Sequence, residues 1–210
     1  MIVFDVDGTL FDTSEGIFAA LSDVFEKYNI GSFDINDGMK YIGPPIKESL
    51  KKYAGLSDEL AEEATKYYRE IYVNKYIVKS FLYDGMLELL FDLKKEGYGI
   101  SIATMKTKKQ IDKLFEIVAI DKQLFDIIET ALDNGKLKKS EMLKNIKNAS
   151  VNHSVVMIGD TEGDRKAAEE AGVRFVGVTY GYGFLDEKTY PFYVAKNINE
   201  LKTAIHKEDS

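Results

Sequence analysis

Six short apolar runs, spaced by stretches of helical periodicity, constrain the fold of this 210-residue chain more than any other feature. They are Ile2-Val3-Phe4, Tyr98 to Ala103, Phe125 to Ile128, Val155 to Ile158, Phe175 to Val178 and the weaker Phe192 to Val194. Each is short and rich in β-branched or aromatic residues, the mark of a strand buried on both faces. Helical patterns lie between them at Asp84–Glu96, Lys109–Val118, Ser140–Asn148 and Asp164–Ala171, the first stopping before Gly97 and the last at Gly172. Strands alternating with helices predict a doubly wound, Rossmann-like α/β core: a parallel sheet covered on both faces.

One stretch breaks the alternation. From Ser14 to about Phe81 no strand pattern is found, while Ile17, Ala20, Leu21, Val24, Phe25 and Tyr28 fall at helical spacing. Further helices are expected at Ile46–Tyr53 and Ser57–Val78, and the rigid turn Ile42-Gly43-Pro44-Pro45 lies between them and the first helical pattern. The predicted organisation is therefore an α/β core made of 1–13 and 82–210, with a helical cap of 14–81 inserted after the first strand.

Composition excludes several function classes. Twenty-eight basic against 35 acidic residues give a net charge of −7, which argues against a general nucleic-acid or anionic-membrane surface. No cysteine is present, so disulfides, thiolate nucleophiles and cysteine-ligated metals are out. His153 and His206 are too few for a histidine-rich zinc site. No run approaches the roughly 18 apolar residues that span a bilayer. A cytoplasmic protein is expected, free of nucleic-acid and membrane partners; a monomer and a homodimer fit the sequence equally.

The chemistry concentrates where predicted strands end. Asp5 and Asp7 flank Val6 and precede Gly8; on an extended strand, with its period of two, both carboxylates point to the same side. One can attack while its neighbour handles protons. A calcium loop is excluded, because Thr9 stands where a third oxygen ligand of the usual pattern belongs and the glycine and later glutamate are misplaced. Further along, Val155 to Ile158 runs into Gly159-Asp160-Thr161-Glu162-Gly163-Asp164, a loop with three acids in five residues whose hard oxygens suit Mg²⁺. There Asp164 also reads as a helix N-cap.

Thr104 closes the strand Gly99–Ala103, where a hydroxyl and the free N–H groups of a following helix hold a phosphate oxygen. Lys106, next to a helix start whose dipole it opposes, is a candidate for a ligand-directed role. Lys136, Lys138 and Lys139 precede a helix. A phosphate beside Asp5 sets like charges ~4 Å apart, a repulsion on the order of 4 kcal/mol per charge pair at an effective dielectric of 20, so attack requires a cation near both. Asp5, Thr104 and Asp160 all lie at the carboxyl ends of predicted parallel strands, the edge along which open α/β sheets bind ligands.

This set resembles the haloacid dehalogenase superfamily, and within it the phosphatases with a helical cap after the first motif. Asp5-Val6-Asp7-Gly8-Thr9 matches the first motif, Ala103-Thr104-Met105-Lys106 the second, Lys139 with Ser140-Glu141-Met142-Leu143 the third, and Gly159-Asp160 with Asp164 the fourth. The resemblance implies that Asp5 attacks phosphorus, that Asp7 protonates the leaving oxygen and then activates water, and that Mg²⁺ sits on the carboxylates of Asp5 and Asp160 and the backbone carbonyl of Asp7, with Asp164 assisting. It implies a phosphate held by Thr104, Lys139 and backbone amides, Met105 included. Methionine at 105 departs from the small polar residue frequent there. Relatives that are dehalogenases usually lack an aspartate at the position of Asp7, so its presence points to phosphoryl chemistry.

The cap segment Ile42 to Leu50 looks like the substrate-facing loop of phosphoglycolate phosphatases and similar enzymes. The expected function is thus a Mg²⁺-dependent phosphatase of a small phosphorylated metabolite, phosphoglycolate-like, acting through an aspartyl phosphate. A 5′-nucleotidase or phosphosugar mutase on the same fold is the alternative among enzymes, and a non-catalytic phosphate-binding regulator the alternative outside them.

Overall fold

The computed structural model describes residues 1–131, 137–150, 154–184 and 190–208. All six expected strands form: β1 (Ile2–Phe4), β4 (Ile100–Thr107), β5 (Ile127–Ala131), β6 (Val156–Gly159), β7 (Arg174–Val178) and β8 (Tyr193–Ala195). They pair in parallel in the order β5-β4-β1-β6-β7-β8. The chain winds outward from β1 through β4 to β5, returns beside β1 as β6, and continues the other way. β1 and β6 therefore flank the switch point, where an open α/β sheet forms its crevice.

The period of two sorts side chains onto two faces. Ile2, Phe4, Ile102, Ile158 and Val176 pack in one core with α4 (Met86–Lys95), α5 (Lys108–Val118) and α8 (Ile198–Glu208). Val3, Ala103 and Met157 pack in the other with α6 (Lys139–Ala149) and α7 (Glu162–Ala171). Central strands with apolar residues on both faces explain the unbroken runs in the sequence.

The inserted segment is helical, as its pattern predicts: α1 (Ser14–Lys27), α2 (Ile46–Ala54) and α3 (Asp58–Ile71), with a 3-10 turn at Ile35–Tyr41. Phe18, Phe25, Phe33 and Tyr41 form its aromatic centre, at ring separations of 5.3–6.1 Å. Beyond Ile71 the expected helix loosens into a π-helical turn (Tyr72–Tyr76) and a 3-10 turn (Ile77–Lys79). Sequence patterning does not reveal the two-residue strands β2 (Phe11–Asp12) and β3 (Phe81–Leu82), which pair antiparallel and bring the two ends of the insertion side by side. No helix among the described residues is long and apolar enough to cross a membrane.

Candidate active site

Asp5 and Asp160 follow β1 and β6 directly, on either side of the switch point. The Asp5 N–H donates to the Ile158 carbonyl at 2.9 Å, which fixes the two strand ends to each other. Both aspartates are buried, and so is Asp164. One carboxylate oxygen from each of the three lies within 4.8 Å of the others. Into this cluster reaches Lys139, from the first residue of α6, with Nζ 2.8 Å from Asp5 Oδ1 and 2.5 Å from Asp164 Oδ1.

Asp7 is held apart from that cluster. β1 ends at Phe4, and the chain turns at Gly8 with φ +76°. The Asp7 side chain meets a second buried cation, Lys106, whose Nζ lies 2.8 Å from Oδ1. Thr13 Oγ1 donates to that same oxygen. No described residue bonds Oδ2, which is thus the oxygen left to face a ligand. Lys106 also donates to the Tyr72 hydroxyl at 3.2 Å and lies over that ring.

Electrostatics follow from burial. Desolvation raises Asp5 to about 7, with Lys139 opposing and Asp164 and Asp7 adding to the rise. Asp160 is pushed well above the carboxylate range by burial and by Asp164 and Asp5. Burial alone would lower Lys139 and Lys106, but Asp164 with Asp5 in the one case, and Asp7 with Tyr72 in the other, hold each above the ordinary lysine value. Two buried cations thus divide the carboxylates: Lys139 serves Asp5 and Asp164, and Lys106 serves Asp7.

A family model described as haloacid dehalogenase-like hydrolase matches residues 2–178. The chain belongs to this family. A 5′-nucleotidase of Pseudomonas aeruginosa is 30% identical over 89% of this chain and 85% of that protein. A phosphoglycolate phosphatase of Colwellia psychrerythraea is 29% identical over 96% and 94%. The crystal structure of a predicted phosphatase from Clostridium acetobutylicum superposes with a TM-score of 0.89 at 31% identity, covering 98% of this chain and 97% of that one. Family, fold class and the phosphoric monoester hydrolase class expected from the motifs are borne out by these relatives.

Within this haloacid dehalogenase-like fold, some local readings need correction. Asp164 is not the N-cap of α7: Thr161 is, and Asp164 stands three residues on, its Oδ2 accepting from Thr161 N–H and Oγ1 at 3.0 and 2.6 Å in a capping box. That box fixes Asp164 so that its other oxygen meets Lys139. β4 does not close before Thr104 but runs on to Thr107, because Thr104 and Thr107 pair with Thr130 and Ala131 of β5 across a bulge. Thr107, not Thr104, caps α5. Thr104 lies buried at the carboxyl edge, its Oγ1 accepting from the Lys106 N–H at 3.2 Å, with Met105 partly exposed between them. Lys138 is exposed while Lys139 reaches the site; Lys136 lies outside the described residues.

Sequence reasoning missed the loop after β7. The Tyr182 N–H donates to Asp160 Oδ2 at 2.7 Å, its hydroxyl donates to Asp12 Oδ1 at 2.9 Å, and the Thr13 N–H donates to that hydroxyl at 2.7 Å. Gly181 lies so close beneath that a Cβ there would sit 2.2 Å from the Gly8 carbonyl oxygen and 2.4 Å from Asp160 Cβ. Glycines on both sides of Tyr182, just past a parallel strand, were the available signal.

Proposed function

We propose that this chain is a Mg²⁺-dependent phosphatase that moves the phosphoryl group of a small, phosphoglycolate-like monoester onto Asp5 and then to water. The observation that carries this reading is the division of the carboxylates: Asp5 lies beside Lys139 and two further acids, whereas Asp7 presents an unengaged oxygen from a separate ion pair.

The three buried acids fit a divalent cation. One ammonium faces three carboxylates, so negative charge is left uncompensated, and the donors are hard oxygens of the kind Mg²⁺ takes. Asp5, Asp160 and the backbone carbonyl of Asp7 would hold the ion, with Asp164 assisting directly or through Lys139. When bound, the ion supplies charge neutralisation for the incoming phosphate.

The remaining work falls to side chains. Asp5 forms a bond to phosphorus as the bond to the leaving oxygen breaks, and Asp7 gives that oxygen a proton. Lys139 balances charge on Asp5 and the phosphate, which Thr104 and the Met105 amide cradle. Asp7 then takes a proton from the water that attacks phosphorus, and inorganic phosphate leaves with Asp5 restored. The helical segment of about 14–81 acts as the cap over this edge, hinged where β2 and β3 pair.

Asp5→Asn tests the reading. It is expected to abolish hydrolysis of an aryl phosphate with Mg²⁺ present, while circular dichroism stays that of a folded protein. Retained turnover in that variant would remove Asp5 as the nucleophile.

A further inference from the structure

Asp160 differs from the other two buried acids in what holds it. Lys139 touches Asp5 and Asp164, whereas Asp160 has no ion pair among the described residues. Two neutral donors fix it instead: Thr9 Oγ1 at 3.3 Å from Oδ1, and the Tyr182 N–H at 2.7 Å from Oδ2. A carboxylate oxygen has two lone-pair sites, so one bond to each oxygen sets the plane of Asp160 and still leaves it able to ligate.

Both donors are tied to the place where the chain enters and leaves the insertion. The Tyr182 hydroxyl donates to Asp12 Oδ1 at 2.9 Å and accepts from the Thr13 N–H at 2.7 Å. The Tyr180 hydroxyl donates to the Thr9 carbonyl at 3.2 Å, and its ring meets that of Tyr83 edge-on at 4.8 Å. Asp12 ends β2, on the way into the insertion, and Tyr83 directly follows β3, on the way out. Asp12 is itself firmly placed. Burial raises its carboxyl, but bonds from Ser14 and Tyr182 outweigh that and hold it below the ordinary value. The loop also presses on the main chain of Asp160: a Cβ at Gly183 would sit 2.6 Å from the Asp160 carbonyl oxygen.

We infer that Tyr182 is a positioning residue for the divalent cation, and that Asp12 governs Mg²⁺ affinity through it from outside the carboxylate cluster, a role that rests on the Mg²⁺ site proposed above. The hydroxyl clamps the tyrosine ring to β2, and the clamped residue aims its own N–H at Asp160. Loss of either end of the Tyr182–Asp12 bond releases that N–H and with it the carboxylate.

Calorimetric titration of the full chain with Mg²⁺ alone, at pH 8, tests this. Tyr182→Phe keeps the ring and the main-chain N–H and is expected to raise the Mg²⁺ Kd about tenfold, the lower end of what a partner of a metal ligand contributes. Asp12→Ala is expected to match it, and the double variant to bind no more weakly than either single one, because both break the same path. Asp12→Asn removes the charge but keeps an oxygen acceptor; with solvent and salt screening the lost charge, its Kd should stay within about threefold of wild type. A residue serving stability alone would lower the urea midpoint and leave Kd where it was. An unchanged Kd in Tyr182→Phe would therefore overturn the inference, whether or not Asp12→Ala folds. Equal weakening in Asp12→Asn and Asp12→Ala would overturn it too, by assigning the effect to charge, and so would additive losses in the double variant. A wild type that binds no Mg²⁺ would instead reject the metal site beneath it.

Discussion

The ammonium of Lys106 lies 2.8 Å from Oδ1 of Asp7, and both side chains are largely withdrawn from water. A lysine of the sheet edge thereby fixes the rotamer of an acid on the neighbouring strand's exit turn. Breaking such a pair by removing one partner costs about 3–5 kcal/mol, because the other charge stays buried. Lys106→Met is therefore expected to lose stability on that scale in urea denaturation at unchanged m. The double variant Lys106→Met with Asp7→Asn should recover more than half of the loss. Equal stability of the single and double variants would show that the pair carries no such weight.

Asp5 sets a pH dependence of the metal-free protein. Its folded value, raised by burial to about 7, lies above the ordinary 3.8. Between those values the folded state holds a proton that the unfolded state has released, so stability falls as pH rises through the interval and levels off above it. Asp5→Asn removes this cost. At pH 8 without metal it is expected to exceed the wild type by on the order of 2 kcal/mol, or about 4–8 °C in Tm for this length, and by little at pH 4. Thermal melts at the two pH values check the sign.

Metal binding must displace the same protons. Mg²⁺ is thus expected to raise the wild-type Tm at pH 8 and progressively less as pH drops below about 7. Chelation should remove both the added stability and the hydrolytic activity. A Mg²⁺ shift that is the same at pH 5 and pH 8 would contradict this assignment.

Lys138 and Lys139 are neighbours with different surroundings. Lys139→Ala strands Asp5 and Asp164 without their cation and should cut kcat for an aryl phosphate by about a hundredfold or more. Lys138→Ala, at an exposed position, should stay within about threefold. A reversed ranking would reassign the phosphate-site lysine.

Gly181 permits the close stacking of the Tyr182 loop on Gly8 and Asp160. Gly181→Ala forces backbone apart beside Gly8 and Asp160. It is expected to weaken Mg²⁺ binding, read by the Mg²⁺-induced Tm shift, and to destabilise the fold by about 1–3 kcal/mol. An unchanged Tm shift would mean that Asp160 does not depend on this loop.

The sheet was legible because its strands are buried on both sides and so read as apolar runs, and Asp5, Asp160 and Thr104 were placed by the ends of those runs. What escaped depended on distant pairing. β2 and β3 are two residues each and face one another across the whole insertion, so no local period marks them. The end of β4 reads as polar at Thr104, Lys106 and Thr107, yet pairing with β5 keeps it extended. Lys106 was suspected of a ligand role from its place beside a helix start; that Asp7 is its partner follows only from the turn at Gly8.

The antiparallel ribbon of Phe11–Asp12 with Phe81–Leu82 has an evolutionary consequence. Because the insertion leaves and re-enters at adjacent points, it can lengthen, shorten or be exchanged without shifting the register of any sheet strand. Selection can then reshape the helical insertion while Asp5, Asp160 and Asp164 keep their places at the sheet edge. One thread limits that freedom: Tyr72, from the insertion, bonds Lys106, which holds Asp7. A replacement insertion would have to supply that hydroxyl or leave the acid less firmly aimed.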